Sequence, residues 1–169
     1  MKKLIVLAAS IMLLWGLEVG QMAPRVVLDG KDGGRVDGKP FDTAKLKGKV
    51  TFLVYSDPDK RGLNEELFEK LKKRHFDRTK YQSVAIINMA ATWMPNFVLG
   101  AILKKKQKEF PDTIYVKDKK KIFVQKWGLA DQDQNIVVLD RQGRVLFVDH
   151  GKLDEPKIDR VITIIQEQL

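Results

Sequence analysis

The sequence contains no cysteine, and that absence removes more chemistry than any other feature of its composition. Without a thiol there is no disulfide framework, no thiolate nucleophile, no iron–sulfur ligation and no zinc ribbon. Histidine is nearly as scarce, and two of them cannot supply a three-histidine metal site. No Gly-rich phosphate motif is present either: Gly30, Gly33, Gly34 and Gly38 fall in a turn-rich stretch and read as turns. These gaps predict a protein with no metal, no cofactor and no sulfur redox chemistry of its own. The rest is ordinary for a folded domain. A chain of 169 residues with 44% hydrophobic content can bury a core. Lysine and arginine number 31 against 22 aspartates and glutamates, a net charge of +9.

Long hydrophobic runs are also lacking, except at the start. Met1-Lys2-Lys3 is a short basic lead, and Leu4 to Trp15 is apolar apart from Ser10. That run suits the apolar region of a secretory signal and falls short of the roughly 20 residues a spanning helix needs. Residues 1–16 are therefore expected to be a signal peptide, with cleavage at Gly16 or at the small residues near Ser10. A retained anchor and an N-terminal core helix are the alternatives. Export implies a periplasmic location, and loss of Lys2 and Lys3 leaves about +7 on residues 20–169, which read as one domain.

Along that domain the hydrophobic periodicity predicts an ordered set of elements. Arg25 to Leu28 is a short strand, and Val50 to Tyr55 is a continuous apolar strand of the kind buried on both faces. Gly62 to Phe76 carries Leu63, Leu67 and Leu71 at fourfold spacing, an amphipathic helix. Gln82 to Asn88 is a second apolar strand. Phe97 to Phe110 is a helix with lysines late in it, where the macrodipole favours them, and Pro111 stops it. Thr113 to Val116 is a third strand. Asn135 to Asp140 and Arg144 to Asp149 pair as a hairpin across Gly143. Asp154-Glu155-Pro156 then starts a last helix that buries Val161, Ile162, Ile164 and Ile165. Helical crossovers imply parallel pairing first, and the hairpin makes the sheet mixed. The expected fold is α/β and thioredoxin-like: a central mixed sheet flanked by helices in three α/β/α layers.

Particular residues carry a family resemblance. Gly20-Gln21-Met22-Ala23-Pro24 and Leu46-Lys47-Gly48-Lys49-Val50 resemble the lead of exported thioredoxin-like proteins. Where such proteins open a helix with Cys-x-x-Cys, this chain has Ser56-Asp57-Pro58-Asp59-Lys60-Arg61-Gly62, and Asp131-Gln132-Asp133-Gln134 lacks the proline expected before the hairpin. A narrower likeness runs through Tyr81-Gln82, Ile87-Asn88, Phe97-Val98, Lys104-Lys105, Phe110-Pro111, Trp127 with Leu129, Val137 to Asp140, Gly143 to Val145, and Gly151 with Leu153. By these the chain resembles the YtfJ family, exported thioredoxin-fold proteins without redox cysteines and without an established role. That family tends to place acids after the Ile-Asn pair. Here Met89-Ala90-Ala91 follows, so no ligand role for those acids carries over.

In a sheet of this kind ligands collect at the carboxyl ends of the parallel strands. Three loops are expected to meet there: Ser56 to Arg61, Met89 to Asn96, and Asp131 to Gln134. Ser56, Asp57, Pro58, Asp59, Lys60, Arg61, Trp93, Met94, Asp131 and Gln132 form the candidate partner-binding rim. Asp57 and Asp59 read either as helix caps or as a ligand surface. Trp93 and Met94 read either as partner anchors or as a lid on the core. A second candidate is an anion patch of Lys104, Lys105, Lys106 and Lys108 with Lys117, Lys119, Lys120 and Lys121, against the plain alternative of a solvated face. Export makes nucleic acid an improbable partner and leaves anionic membrane surfaces accessible. Ser56, Asp149 and His150 are triad residue types, but adjacent strand residues point to opposite faces. His75 reads as a helix-end residue rather than a metal ligand.

Two function classes follow. One is a non-redox binding or scaffold module of the cell envelope that holds an envelope protein or peptide. The other is an envelope oxidoreductase or peroxidase relative, which would have to borrow a cofactor or a partner's thiol.

Overall fold

The computed structural model describes residues 16–169. The leader expected over residues 1–16 lies, but for Gly16, outside the described residues.

Six strands form one mixed sheet. Val50–Ser56 (β4), Tyr81–Asn88 (β5) and Thr113–Asp118 (β6) run parallel. Gln134–Leu139 (β7) lies antiparallel to β4, and Val145–His150 (β8) antiparallel to β7. Gly33–Arg35 (β2) adds an antiparallel edge beside β6, so the order is β2-β6-β5-β4-β7-β8. Val27–Leu28 (β1) and Phe41–Asp42 (β3) pair separately. The helices are Glu65–Lys73 (α1), Asn96–Glu109 (α2), Ile122–Trp127 (α3) and Glu155–Glu167 (α4). The expected mixed sheet and flanking helices are present.

The alternation of β4 and β7 divides the core. Val50, Phe52, Ile136 and Val138 face α1 and α4, meeting Leu67, Leu71, Ile158, Val161, Ile162 and Ile165. Leu53, Tyr55, Val137 and Leu139 face the opposite layer, where Phe123 and Trp127 of α3 pack with β1 and β3. Both faces of the central strands are thus covered, the reason their sequences run apolar without interruption. Helix α2 is different. Only Leu99 and Leu103 are fully buried, against Val36 and Met89; Val98, Gly100 and Gln107 are half-buried and its other residues are exposed.

Two segments depart from expectation. Gly33 and Gly34 are not turn residues but form β2. A Cβ on Gly33 would stand 1.8 Å from the Lys117 carbonyl, so only glycine lets this edge approach β6. The stretch after β6 holds α3, for which periodicity gave no signal.

Candidate functional site

The carboxyl ends of β4, β5 and β6 meet the start of β7 in a cluster of buried polar residues: Ser56, Asp57, Asn88, Asp118, Gln134 and Asn135. The three expected loops do converge. Asp57 N–H donates to the Asp133 carbonyl at 2.9 Å, tying the first loop to the third. Asn88 Nδ2 donates to Asp131 Oδ1 at 2.9 Å, tying the end of β5, from which the second loop leaves, to the third.

The first loop is closed on itself rather than open to a ligand. Ser56, Asp57 and Pro58 are buried, and only Asp59, Lys60 and Arg61 reach solvent. Ser56 Oγ donates to the Asp57 carbonyl at 2.8 Å and accepts from Gln134 Nε2 at 3.3 Å. Gln134 also donates to the carbonyls of Lys60 and Arg61, and its Oε1 accepts from Asn64 Nδ2 at 2.8 Å. Asp57 Oδ1 accepts from Asp59 N–H at 2.8 Å, so it caps a single 3-10 turn, Pro58–Lys60, rather than α1. The N-terminus of α1 follows Asn64, which makes no side-chain cap bond. Among the described residues no buried side-chain nitrogen or oxygen lacks a partner.

No serine triad forms. The histidine nearest in type, His150, places Nδ1 2.9 Å from Asp133 Oδ2, and Asp149 is held by Lys157 Nζ at 2.8 Å. His75 lies just past α1 with φ 47°, a left-handed residue at a helix end. No group of three or more potential metal-ligating side chains occurs among the described residues.

The third loop is locked from the other side. Lys121 Nζ stands 2.6 Å from Asp131 Oδ2, and its hydrogen bond holds the Asp131 carboxyl below its ordinary value. Gln132 takes the left-handed φ of 56° as the chain turns into β7. Asp118, missed in the sequence, closes the cluster. Its carboxylate accepts from the Ile122 and Phe123 amides at 3.0 Å each and from Tyr55 OH at 3.3 Å. Burial and then this carboxylate push the Tyr55 hydroxyl well above the ordinary tyrosine range. The sequence signal was an aspartate four residues ahead of an apolar run that ends on Gly128, a glycine with φ 61°.

The second loop is the open part. Trp93 is 91% exposed and Phe97 79% exposed, while Met94 is half-buried against the α2 core. Trp93 does not fold back over the sheet as a lid on the core; its ring stands in solvent. The lysine cluster also divides. Lys106 pairs with Glu109 at 3.0 Å, Lys120 with Asp32 at 2.7 Å and Lys121 with Asp131. Lys104, Lys105, Lys108, Lys117 and Lys119 make no ion pair among the described residues.

Comparison with known proteins fits this geometry. The family described as "Bacterial protein of unknown function (YtfJ_HI0045)" matches residues 25–168. An uncharacterised protein of Haemophilus influenzae is 35% identical over 144 residues, covering 83% of this chain and 76% of that protein. The uncharacterised protein YtfJ of Escherichia coli is 26% identical, covering 90% and 87%. Among solved structures, a peroxiredoxin-like protein from Aquifex aeolicus superposes with a TM-score of 0.65 at 16% identity, covering 91% of this chain and 89% of that one. A thiol-disulfide isomerase from Corynebacterium glutamicum gives 0.60 at 18% identity, covering 85% and 96%. At such identities the likeness is one of fold, and that fold is thioredoxin-like.

Proposed function

The chain belongs to the YtfJ_HI0045 family of bacterial proteins of unknown function, and from that premise we propose that it is a non-redox binding module of the cell envelope. In this reading it holds a protein or peptide and performs no thiol chemistry. One observation carries the proposal. The loop after β4, where a thioredoxin-like oxidoreductase presents its thiols, has no cysteine here, and its buried hydroxyl, Ser56, and the carbonyls of Lys60 and Arg61 bond internally to Gln134, which Asn64 holds in turn. Ser56 Oγ donates to a backbone carbonyl and accepts from an amide, and neither partner is a base that could activate it. The neighbouring β5–α2 loop presents Trp93 instead, and exposed aromatics are the residues that anchor partners. The basic-then-apolar pattern of residues 1–16 supports export to the periplasm.

Insulin-reduction and peroxide-consumption assays test the non-redox half, and the purified protein gives background only. Turnover above background overturns it. Capture from an envelope extract tests the binding half: Trp93→Ala weakens retention of the co-purifying partner while leaving the melting temperature in place. Equal retention by both forms removes Trp93 from the site.

A further inference from the structure

Three lysines of the candidate patch meet an exposed aromatic residue of α2, Phe97, in one surface groove. Phe97, Gly100, Ala101 and Lys104 on α2 line a surface groove of about 400 Å³ with Met89 beneath, and Lys117 and Lys119 border it from the end of β6. The groove exists because α2 carries small residues there. A Cβ on Gly100 would find nothing within 4 Å. One part of the lining is apolar, from Phe97 and Met89. Another is cationic, and no aspartate or glutamate lines the groove. The nearby carboxylates are spent elsewhere: Asp118 accepts from α3 amides and Tyr55, Asp32 holds Lys120, and Asp131 holds Lys121.

The cations bear on one another. Partial burial and then the charges of Lys119 and Lys104 push the Lys117 ammonium below its ordinary value. Lys119 Nζ reaches only the neutral Gly30 carbonyl, at 3.4 Å. Three positive charges are thus gathered beside an apolar floor with no ion-pair partner among the described residues, an arrangement that a ligand's carboxylates would relieve.

We propose that this groove binds an acidic peptide segment of a partner protein, seating one large apolar or aromatic side chain over Gly100 and placing neighbouring carboxylates on Lys104, Lys117 and Lys119. The inference rests on the binding-module reading and gives it a site and a ligand chemistry. A recessed pocket suits an inserted side chain better than it suits a flat lipid surface. Phe97 itself is 79% exposed, so the apolar side of the groove is open to a chain lying across it.

Selection of displayed random dodecapeptides on the purified protein tests the site. The variants are Gly100→Leu, which fills the groove and replaces a helix glycine with a good helix former, and the double substitution Lys104→Glu with Lys117→Glu. Thermal unfolding checks that each variant folds. The enriched peptides carry Asp or Glu beside Phe, Trp or Leu, and their Kd by fluorescence anisotropy rises at least tenfold in each folded variant. Binding of the parent also weakens with salt. No enrichment, enrichment without that pattern, or undiminished binding to Gly100→Leu overturns the proposal. If instead the protein sediments with phosphatidylglycerol vesicles and not with phosphatidylcholine vesicles, and no peptide enriches, the surface is a lipid contact. Peptides that bind Gly100→Leu as tightly as the parent sink the groove and leave the binding-module reading standing, whereas insulin reduction above background sinks that reading itself.

Discussion

Asn64 and Gln134, 70 residues apart, meet through a buried hydrogen bond of 2.8 Å from Asn64 Nδ2 to Gln134 Oε1. Asn64 stands at the start of α1 and Gln134 at the start of β7, so this pair fastens the helix to the sheet beside the loop that follows β4. Asn64 also accepts from Leu153 N–H at 2.8 Å and donates to the Gly151 carbonyl at 2.9 Å, which brings the approach to α4 into the same network. The bond between these two amides fixes Gln134, whose Nε2 in turn holds the Lys60 and Arg61 carbonyls of that loop.

Gln134→Leu keeps the volume of this side chain but removes both its acceptor and its donors. Asn64 Nδ2 loses one acceptor, and the Lys60 and Arg61 carbonyls lose a donor. Asn64 Nδ2 keeps the Gly151 carbonyl and the Lys60 carbonyl keeps Leu63 N–H, so the variant loses about 1–3 kcal/mol in chemical denaturation, the cost of about one unsatisfied buried group. Hydrogen exchange then rises first in residues 56–64. A loss below about 0.5 kcal/mol would mean that the loop relaxes to water without strain.

Asp118 and Tyr55 separate a cap from a pairing. Tyr55→Phe deletes one donor to a carboxylate that keeps its backbone N–H partners, and costs about 1 kcal/mol. Asp118→Ala strips the first turn of α3 of its acceptor and orphans the Ile122 and Phe123 amides, at about 3 kcal/mol. Equal losses in the two variants, measured by urea unfolding, would contradict the capping role.

Much of the fold was legible because its strands obey simple burial rules. β4 and β7 are apolar on both faces, and α4 announces itself with Asp154, whose carboxylate accepts from Lys157 N–H at 3.0 Å, and with Pro156 in its first turn. What escaped detection depended on distant partners. Helix α3 has six residues and is capped from the end of β6, so its own periodicity is too short to register. β2 is two glycines and an arginine whose strand character comes from pairing with Val116, Lys117 and Asp118. The candidate rim divided by burial: Ser56, Asp57 and Pro58 went inside, while Trp93, Asp131 and Gln132 stayed out. Nothing in a stretch of aspartates, proline and lysine says which part of it a glutamine 73 to 78 residues later will hold.

Asp42 gives stability a pH dependence with a definite sign. Its carboxylate accepts from Arg25 Nη2 at 2.7 Å and from the Ala44 amide at 2.9 Å, and these bonds hold it down to about 2. The folded-state value lies below the unfolded value of about 3.9. The contribution is therefore complete above the unfolded value and is lost as pH falls through about 2. The melting-temperature gap between the parent and Asp42→Asn stays constant from pH 7 to pH 5, then narrows toward zero by pH 2. A gap that does not change with pH would show that the Arg25–Asp42 pair contributes nothing to stability.

Trp93 and Trp127 are the same residue type in opposite circumstances, and their substitutions separate binding from folding. Trp127 is 1% exposed, packs edge-on against Phe123 with ring centroids 4.7 Å apart, and donates Nε1–H to the Pro24 carbonyl at 2.7 Å. That bond ties the N-terminal segment to α3. Trp127→Phe keeps most of the packing but loses the donor and part of the ring, so it costs about 2 kcal/mol and lowers the melting temperature by roughly 4–8 °C. Trp93 at 91% exposure has almost no burial to lose, and Trp93→Ala stays within about 0.5 kcal/mol of the parent. The complementary readout is partner capture, which Trp93→Ala weakens and which Trp127→Phe, below its melting point, retains. Both variants losing capture in proportion to lost stability would mean that unfolding, and not the exposed ring, governs the interaction.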